Sequence, residues 1–180
     1  IFQDASPVTT KNQSSVSPPA PGIQYRYSHL KFENSPLEKL VAKSFEHFTF
    51  FAITIRHHYH LTSFEPDAFS PSNTFTTTLK FDSNAKLGYV NDSVYSLFAA
   101  VQSFSQLEML FIHNCGLTFV PTNAFGMPGA RTLKRLRRVS LINNAIKTIH
   151  ANAFSNLPVL RTLSLSTNQI DRIEAPGAIN

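Results

Sequence analysis

Apolar residues recur along this chain in two alternating rhythms. Pairs spaced by two, Leu30/Phe32, Ile53/Ile55, Leu79/Phe81, Leu110/Ile112, Val139/Leu141 and Leu163/Leu165, are each followed by wider, irregular apolar steps. The tight alternation predicts a short strand with one buried face, and the wider steps predict a turn and an irregular or short helical return. The first members of these pairs lie 23, 26, 31, 29 and 24 residues apart, so one block restarts six times. Three further columns hold across the blocks. They are Leu37, Leu61, Leu87, Leu117, Ile146, Ile170; then Leu40, Phe64, Val90, Val120, Ile149, Ile173; then Phe45, Phe69, Tyr95, Phe125, Phe154, with Ala178 breaking the aromatic run. Stacked units of this kind share a continuous core that no single unit could form.

Written out, each block reads L-x-x-L-x-L-x-x-N/C-x-L, and on that pattern the chain resembles leucine-rich repeat proteins. The resemblance implies an α/β solenoid: a horseshoe of about six repeats, with short parallel strands on the concave face and an irregular or short helical convex side. The ninth position then holds a buried polar side chain that satisfies the turn leaving the strand. Here it reads Ser35, His58, Asn84, Cys115, Asn144, Asn168. Asn suits the role because its amide both donates and accepts. Cys115 is expected to be a buried, unpaired thiol, while Ser35 and His58 depart from the pattern and are expected to weaken the ladder in the first two repeats. The endings Asp67-Ala68-Phe69, Asn123-Ala124-Phe125 and Asn152-Ala153-Phe154 look like those of animal extracellular repeats, which implies a secreted or extracellular protein. The irregular repeats are also similar to secreted arthropod proteins related to the non-catalytic subunit of a shrimp luciferin monooxygenase. That likeness implies a structural or stabilising subunit.

Composition bounds the reading. No apolar run is long enough to span a bilayer, and the one cysteine rules out the intramolecular disulfide caps common on secreted repeats. Residues 1–26 carry Pro7, Pro18, Pro19 and Pro21 among Ser and Thr, and read as an arm or a cysteine-free cap before the array of residues 27–180. Within the arm Ile23, Tyr25 and Tyr27 alternate with polar residues. They either add an edge strand or end a linker. A convex helix is expected after an N-cap at Ser93, carrying Phe98, Val101 and Phe104, and a loop is expected at Gly126-Met127-Pro128-Gly129. After Ile173 no polar capping segment follows, so Leu163, Leu165 and Ile170 are expected to seek cover from further repeats, a cap or another subunit packed end to end.

Candidate chemistry is that of binding. Strand residues flanking the buried pairs face the concave side: Lys31, Thr54, Lys80, Phe111, Ser140 and Ser164 in one column, Glu33, Arg56, Asp82, His113, Ile142 and Ser166 in the next. Charges of both signs fill the first repeats, whereas Phe111 and Ile142 put large apolar groups where solvent is expected. The net charge of +5 is concentrated in Arg131, Lys134, Arg135, Arg137 and Arg138. This cluster is expected on a convex turn and is a candidate site for an anionic ligand such as a sulfated glycan. No nucleic-acid motif accompanies it. His57, His58 and His60 are not expected to converge on a metal, since His57 points to the concave side and His58 inward. No phosphate loop, nucleophile elbow or zinc-protease helix is present, and no cofactor is expected. Asn12 and Asn91 lie in glycosylation sequons. The function expected is a non-catalytic interaction module that binds a protein or glycan through the concave face; the alternative is a structural subunit of a larger complex.

Overall fold

A computed structural model describes residues 25–89, 91–127, 129–130 and 133–174. In chain order its strands are β1 (Tyr25–Glu33), β2 (Lys39–Leu40), β3 (Phe48–Arg56), β4 (Ser63–Phe64), β5 (Thr78–Asp82) and β6 (Met109–His113). There follow β7 (Phe119–Val120), β8 (Arg138–Ser140), β9 (Thr148–Ile149), β10 (Thr162–Ser164) and β11 (Arg172–Ile173). One α-helix, α1 (Asn91–Gln102), stands between β5 and β6.

The six periodic anchors set the register. β1, β3, β5, β6, β8 and β10 form one parallel sheet in that order, pairing Leu30 with Ile53, then Leu79, Leu110, Val139 and Leu163 in turn. Parallel neighbours need a return crossover, and the wider apolar steps supply it. The architecture is the expected α/β solenoid. The convex side differs in one respect: it carries two minor parallel sheets, β2-β4 and β11-β9-β7, along with short 3-10 turns, so part of each return is itself laddered.

Each strand leaves through the same turn. Asn34, His57, Ser83, Asn114, Asn143 and Thr167 all adopt φ between 52° and 57°, the left-handed region that asparagine tolerates better than most residues. His57 therefore sits in the turn and not on the strand's concave face as expected. The next residue in each block is the ladder residue. Asn144 is the fullest case, accepting from the N–H groups of Cys115 and Leu117 at 3.0 and 3.2 Å and donating to the carbonyls of Ile112 and Leu141 at 2.8 and 3.0 Å. Asn84 accepts from His58 N–H and donates to Ile55 O, and Asn168 accepts from Ile146 N–H and donates to Leu141 and Leu165 carbonyls. His58 does not weaken the ladder. Its buried ring donates from Nε2 to the Phe32 carbonyl at 2.9 Å and meets the Ser35 hydroxyl through Nδ1 at 3.1 Å, so the longer imidazole spans what an amide would. Cys115 is fully buried and free, with its Sγ 3.1 Å from the His113 carbonyl. Burial pushes its thiol up to about 12.

Phenylalanines stack along the convex interior. Phe45 lies parallel to Phe69 at 5.5 Å, Phe69 continues to Phe104 at 6.0 Å, and a second run joins Phe98, Phe125 and Phe154 at 5.5 and 5.4 Å. Tyr95 is not in this spine: it is 55% exposed on the outside of α1, and Phe98 takes the inward place one turn later. The helix begins at Asn91, so Ser93 lies inside its first turn and is buried instead of capping it. Val94, Leu97, Phe98 and Val101 recur at helical spacing and bury one face. Gly88 lets this region close, since a Cβ there would come within 2.3 Å of the Leu117 nitrogen.

The ends of the array differ from its middle. Among the described residues no separate edge strand precedes the first repeat; Tyr25 and Tyr27 belong to β1 itself and pair with Phe48 and Phe50, so the expected boundary at residue 26 falls inside that strand, and Ile23 lies outside the described residues. The remainder of the arm, including Asn12, lies outside the described residues, as do Val90, Pro128, Arg131 and residues 175–180. At the far end Leu163, Leu165 and Ile170 are half-buried, and Ile173 is 57% exposed.

Candidate interaction face

Strand register carries the concave columns across the sheet. Lys31, Thr54, Lys80, Phe111, Ser140 and Ser164 pair in sequence, and so do Glu33, Arg56, Asp82 and His113. Ile142 follows the end of β8 and is partly exposed. The expected face is thus one surface, with two halves of different character.

In the first three repeats four of the five column charges pair with one another, and Lys31 is left without a carboxylate among the described residues. Arg56 Nε lies 3.1 Å from Glu33 Oε1, and Lys80 Nζ lies 3.1 Å from Asp82 Oδ2. Asp82 also accepts from Ser83 Oγ and Asn114 Nδ2, and Asn143 donates in turn to Asn114. Burial alone would raise the Asp82 carboxyl, but these donors hold it below the ordinary carboxylate value. His29 meets Thr54 Oγ1 through Nε2 at 2.9 Å, and burial together with the neighbouring Lys31 lowers its imidazole below the usual histidine value. Burial likewise lowers His113, with Asp82 opposing and Lys80 adding to the effect. Such a surface has little unsatisfied charge to offer.

Over the fourth and fifth repeats the face turns apolar, before Thr162, Ser164 and Ser166 make it polar again in the sixth. Phe111 and Ile142 are joined by Met109, 37% exposed, and Phe111 meets the edge of His113 at 5.8 Å. Ser140 is not the solvent-facing residue its column predicts. It is 4% exposed beneath His113, whose Nε2 lies 2.8 Å from its hydroxyl.

One member of the basic cluster, Arg138, sits elsewhere than expected, while Lys134 and Arg135 lie in a turn before β8. Leu133 and Leu136 are buried, and Lys134, Arg135, Arg137 and Arg138 are exposed between and after them. Arg138 opens β8 and pairs with Met109 and Thr162, which puts it on the concave side of the sheet and not on a convex turn. Arg161, unnoticed in the sequence, joins Arg137 and Arg138 around a shallow cleft of about 300 Å³ shared with Glu108, Met109 and Thr162. The signal that would have found it is the repeat itself, because Arg161 is the equivalent of Arg137 in the next block. The same shift reveals a third concave column, His29, Ala52, Thr78, Met109, Arg138 and Thr162, two residues before the Lys31 column.

The three histidines diverge. His57 is in its left-handed turn, His58 is in the ladder, and His60 is exposed with Nδ1 3.5 Å from Lys86 Nζ. Asn91 is exposed at the start of α1. No helix among the described residues is long and apolar enough to cross a membrane.

The register, the polar ladder and the phenylalanine spine together define an α/β solenoid with the leucine-rich repeat fold. The leucine rich repeat family model matches residues 105–170, and the same ladder and register run back through β5, β3 and β1 outside the matched segment. No curated protein matches the chain. Leucine-rich repeats generally mediate protein–protein contacts, through surfaces that the scaffold holds rigid.

Proposed function

We propose that the protein is a non-catalytic interaction module that receives a protein partner on the concave face, centred on the fourth and fifth repeats. The observation that carries this reading is the contrast within the face: over β1, β3 and β5 all of its column charges but Lys31 are internally paired, and Met109, Phe111 and Ile142 offer apolar area over β6 and β8. Apolar groups grouped on a rigid concave surface are typical of binding sites. The exposed Arg137, Arg138 and Arg161 favour a ligand with anionic character. The Ala-Phe endings and the solvent-facing sequon Asn91 support an extracellular setting.

Affinity capture from the native source, followed by size exclusion, tests the proposal. The partner should co-elute stoichiometrically with the parent chain, survive substitution of Tyr95 by Asp on the convex side, and be lost from a Phe111→Asp, Ile142→Asp double variant. The half-buried Leu163, Leu165 and Ile170 beside the exposed Ile173 support a second reading, a structural subunit that packs end to end against another chain. A partner retained by the concave double variant but lost on Ile173→Asp would replace the first reading with the second.

A further inference from the structure

Three arginines meet at the leading rim of the concave face. The Arg161 N–H donates to the Arg137 carbonyl at 2.8 Å, and the Arg137 N–H donates to the Glu108 carbonyl at 2.9 Å, so Arg137 and Arg161 stand at matching positions of adjacent repeats, each just before its strand and about 5 Å apart. Arg138 stands next to them, directly across from Met109, and two residues further along the same face of each strand lie Ser140 and Phe111. None of the three guanidiniums forms an ion pair or side-chain hydrogen bond among the described residues, whereas Arg56 and Lys80 on the same face each have a carboxylate. The rim therefore concentrates unmatched, exposed fork-shaped donors at the border of the apolar patch.

We propose that rim and patch form one bipartite site for an acidic peptide segment, whose carboxylates engage Arg137, Arg138 and Arg161 while an adjoining apolar side chain covers Met109 and Phe111. The inference rests on the interaction-module reading and names the partner's chemistry at that face. Guanidinium groups match carboxylates in a two-pronged geometry that a point charge lacks. Two features favour a peptide over a sulfated glycan. Met109 and Phe111 lie at side-chain spacing from Arg138 and would be left uncovered by a polysaccharide that presents only charge and hydroxyls. Glu108 lines the same cleft, where it repels a uniformly dense polyanion but can accept an N–H from a peptide backbone.

Fluorescence anisotropy at about 0.15 M salt, where screening suppresses distant charge effects, tests the proposal with three probes: a labelled peptide alternating Glu and Phe, its Glu–Ser counterpart, and a heparin-derived hexasaccharide. The Glu–Phe peptide should bind more tightly than the Glu–Ser peptide. Its affinity should fall at least about tenfold in the R137A, R138A, R161A triple variant and about tenfold in Phe111→Ser, each corresponding to the loss of a contact of ordinary strength. Thermal melts of each variant report folding, and should the triple variant melt early, replacing the same arginines by lysine keeps the charge and should still weaken the peptide by removing the fork. Hexasaccharide binding that Phe111→Ser leaves unchanged, with the two peptides equivalent, would make the rim a polyanion site and overturn the proposal. So would the absence of peptide binding, or peptide binding indifferent to the arginines. A captured partner that needs Phe111 and Ile142 but not the arginines would leave the interaction module standing and remove this inference alone.

Discussion

Replacing Asn144 by Ala removes, besides a long bond of 3.3 Å to the Ile142 carbonyl, four hydrogen bonds from the middle of the ladder, to the N–H groups of Cys115 and Leu117 and the carbonyls of Ile112 and Leu141. At a net value of about 1 kcal/mol each the sum is about 4 kcal/mol. Asn144 is only part-buried, so water replaces some of the lost partners and about 3 kcal/mol remains as the expected destabilisation. Asn168 makes comparable bonds in the last repeat, but its neighbours Leu165 and Ile170 are half-exposed, and Asn168→Ala should cost only about 1 kcal/mol. Urea unfolding followed by circular dichroism measures both, with the slope held constant so that the midpoints report stability. Asn144→Asp sharpens the test. Its second carboxylate oxygen would replace Nδ2 and face two carbonyls, so the folded protein disfavours the charged form and holds the new group above the unfolded value of about 3.9. A raised folded pKa means that the stability associated with the protonated form is present below the unfolded value and lost as pH rises through the folded one. The Asp variant should therefore match or exceed the Ala variant near pH 3 and fall behind it toward pH 7. Equal costs at Asn144 and Asn168, or an Asp variant insensitive to pH, would refute the claim that the amide sustains the turn through both its donor and its acceptor.

Two further outcomes check the core and the face assignment. Cys115 should react slowly with a thiol reagent in the native protein and rapidly in denaturant, because the thiol is fully buried with its pKa near 12; fast labelling under native conditions would place it outside the ladder. Leu141→Ala should cost about 2–5 kcal/mol, and Ser164→Ala, on the opposite side of its strand and not fully buried, should stay within about 0.5 kcal/mol; denaturation midpoints in the reverse order would mean that the strand faces are interchanged.

The columns of apolar residues were legible because burial on one face of a strand imposes a period of two, and stacking imposes the same register on every repeat. That is why Leu110, Ile112 and Leu117 could be placed before any coordinates. What escaped notice depended on lengths the pattern does not fix. Tyr95 falls at the aromatic position by counting, yet the longest interval is absorbed by a helix whose own period turns Phe98 inward instead. His58 looked like a defect because its chemistry differs from asparagine, although its ring nitrogens reach a carbonyl and a hydroxyl across the same gap. Arg138 reads as part of a turn because a run of cations hides the start of β8, and Arg161 stands apart along the chain and joins the cluster only across repeats. Ser140 has the right column but the wrong exposure, since His113 lies over it.

The phenylalanine spine has a mechanical consequence at its break. One run ends on Phe104, just after α1, and the other begins on Phe98, within it, so both halves of the solenoid are fastened to a single short segment. In a stack where each unit touches only its neighbours, the longest interval would be the natural place to part. Here the helix acts as a splice: whichever half keeps this segment when the first three repeats part from the last three, the aromatic contact to the other half must tear, Phe98–Phe125 on one side or Phe69–Phe104 on the other.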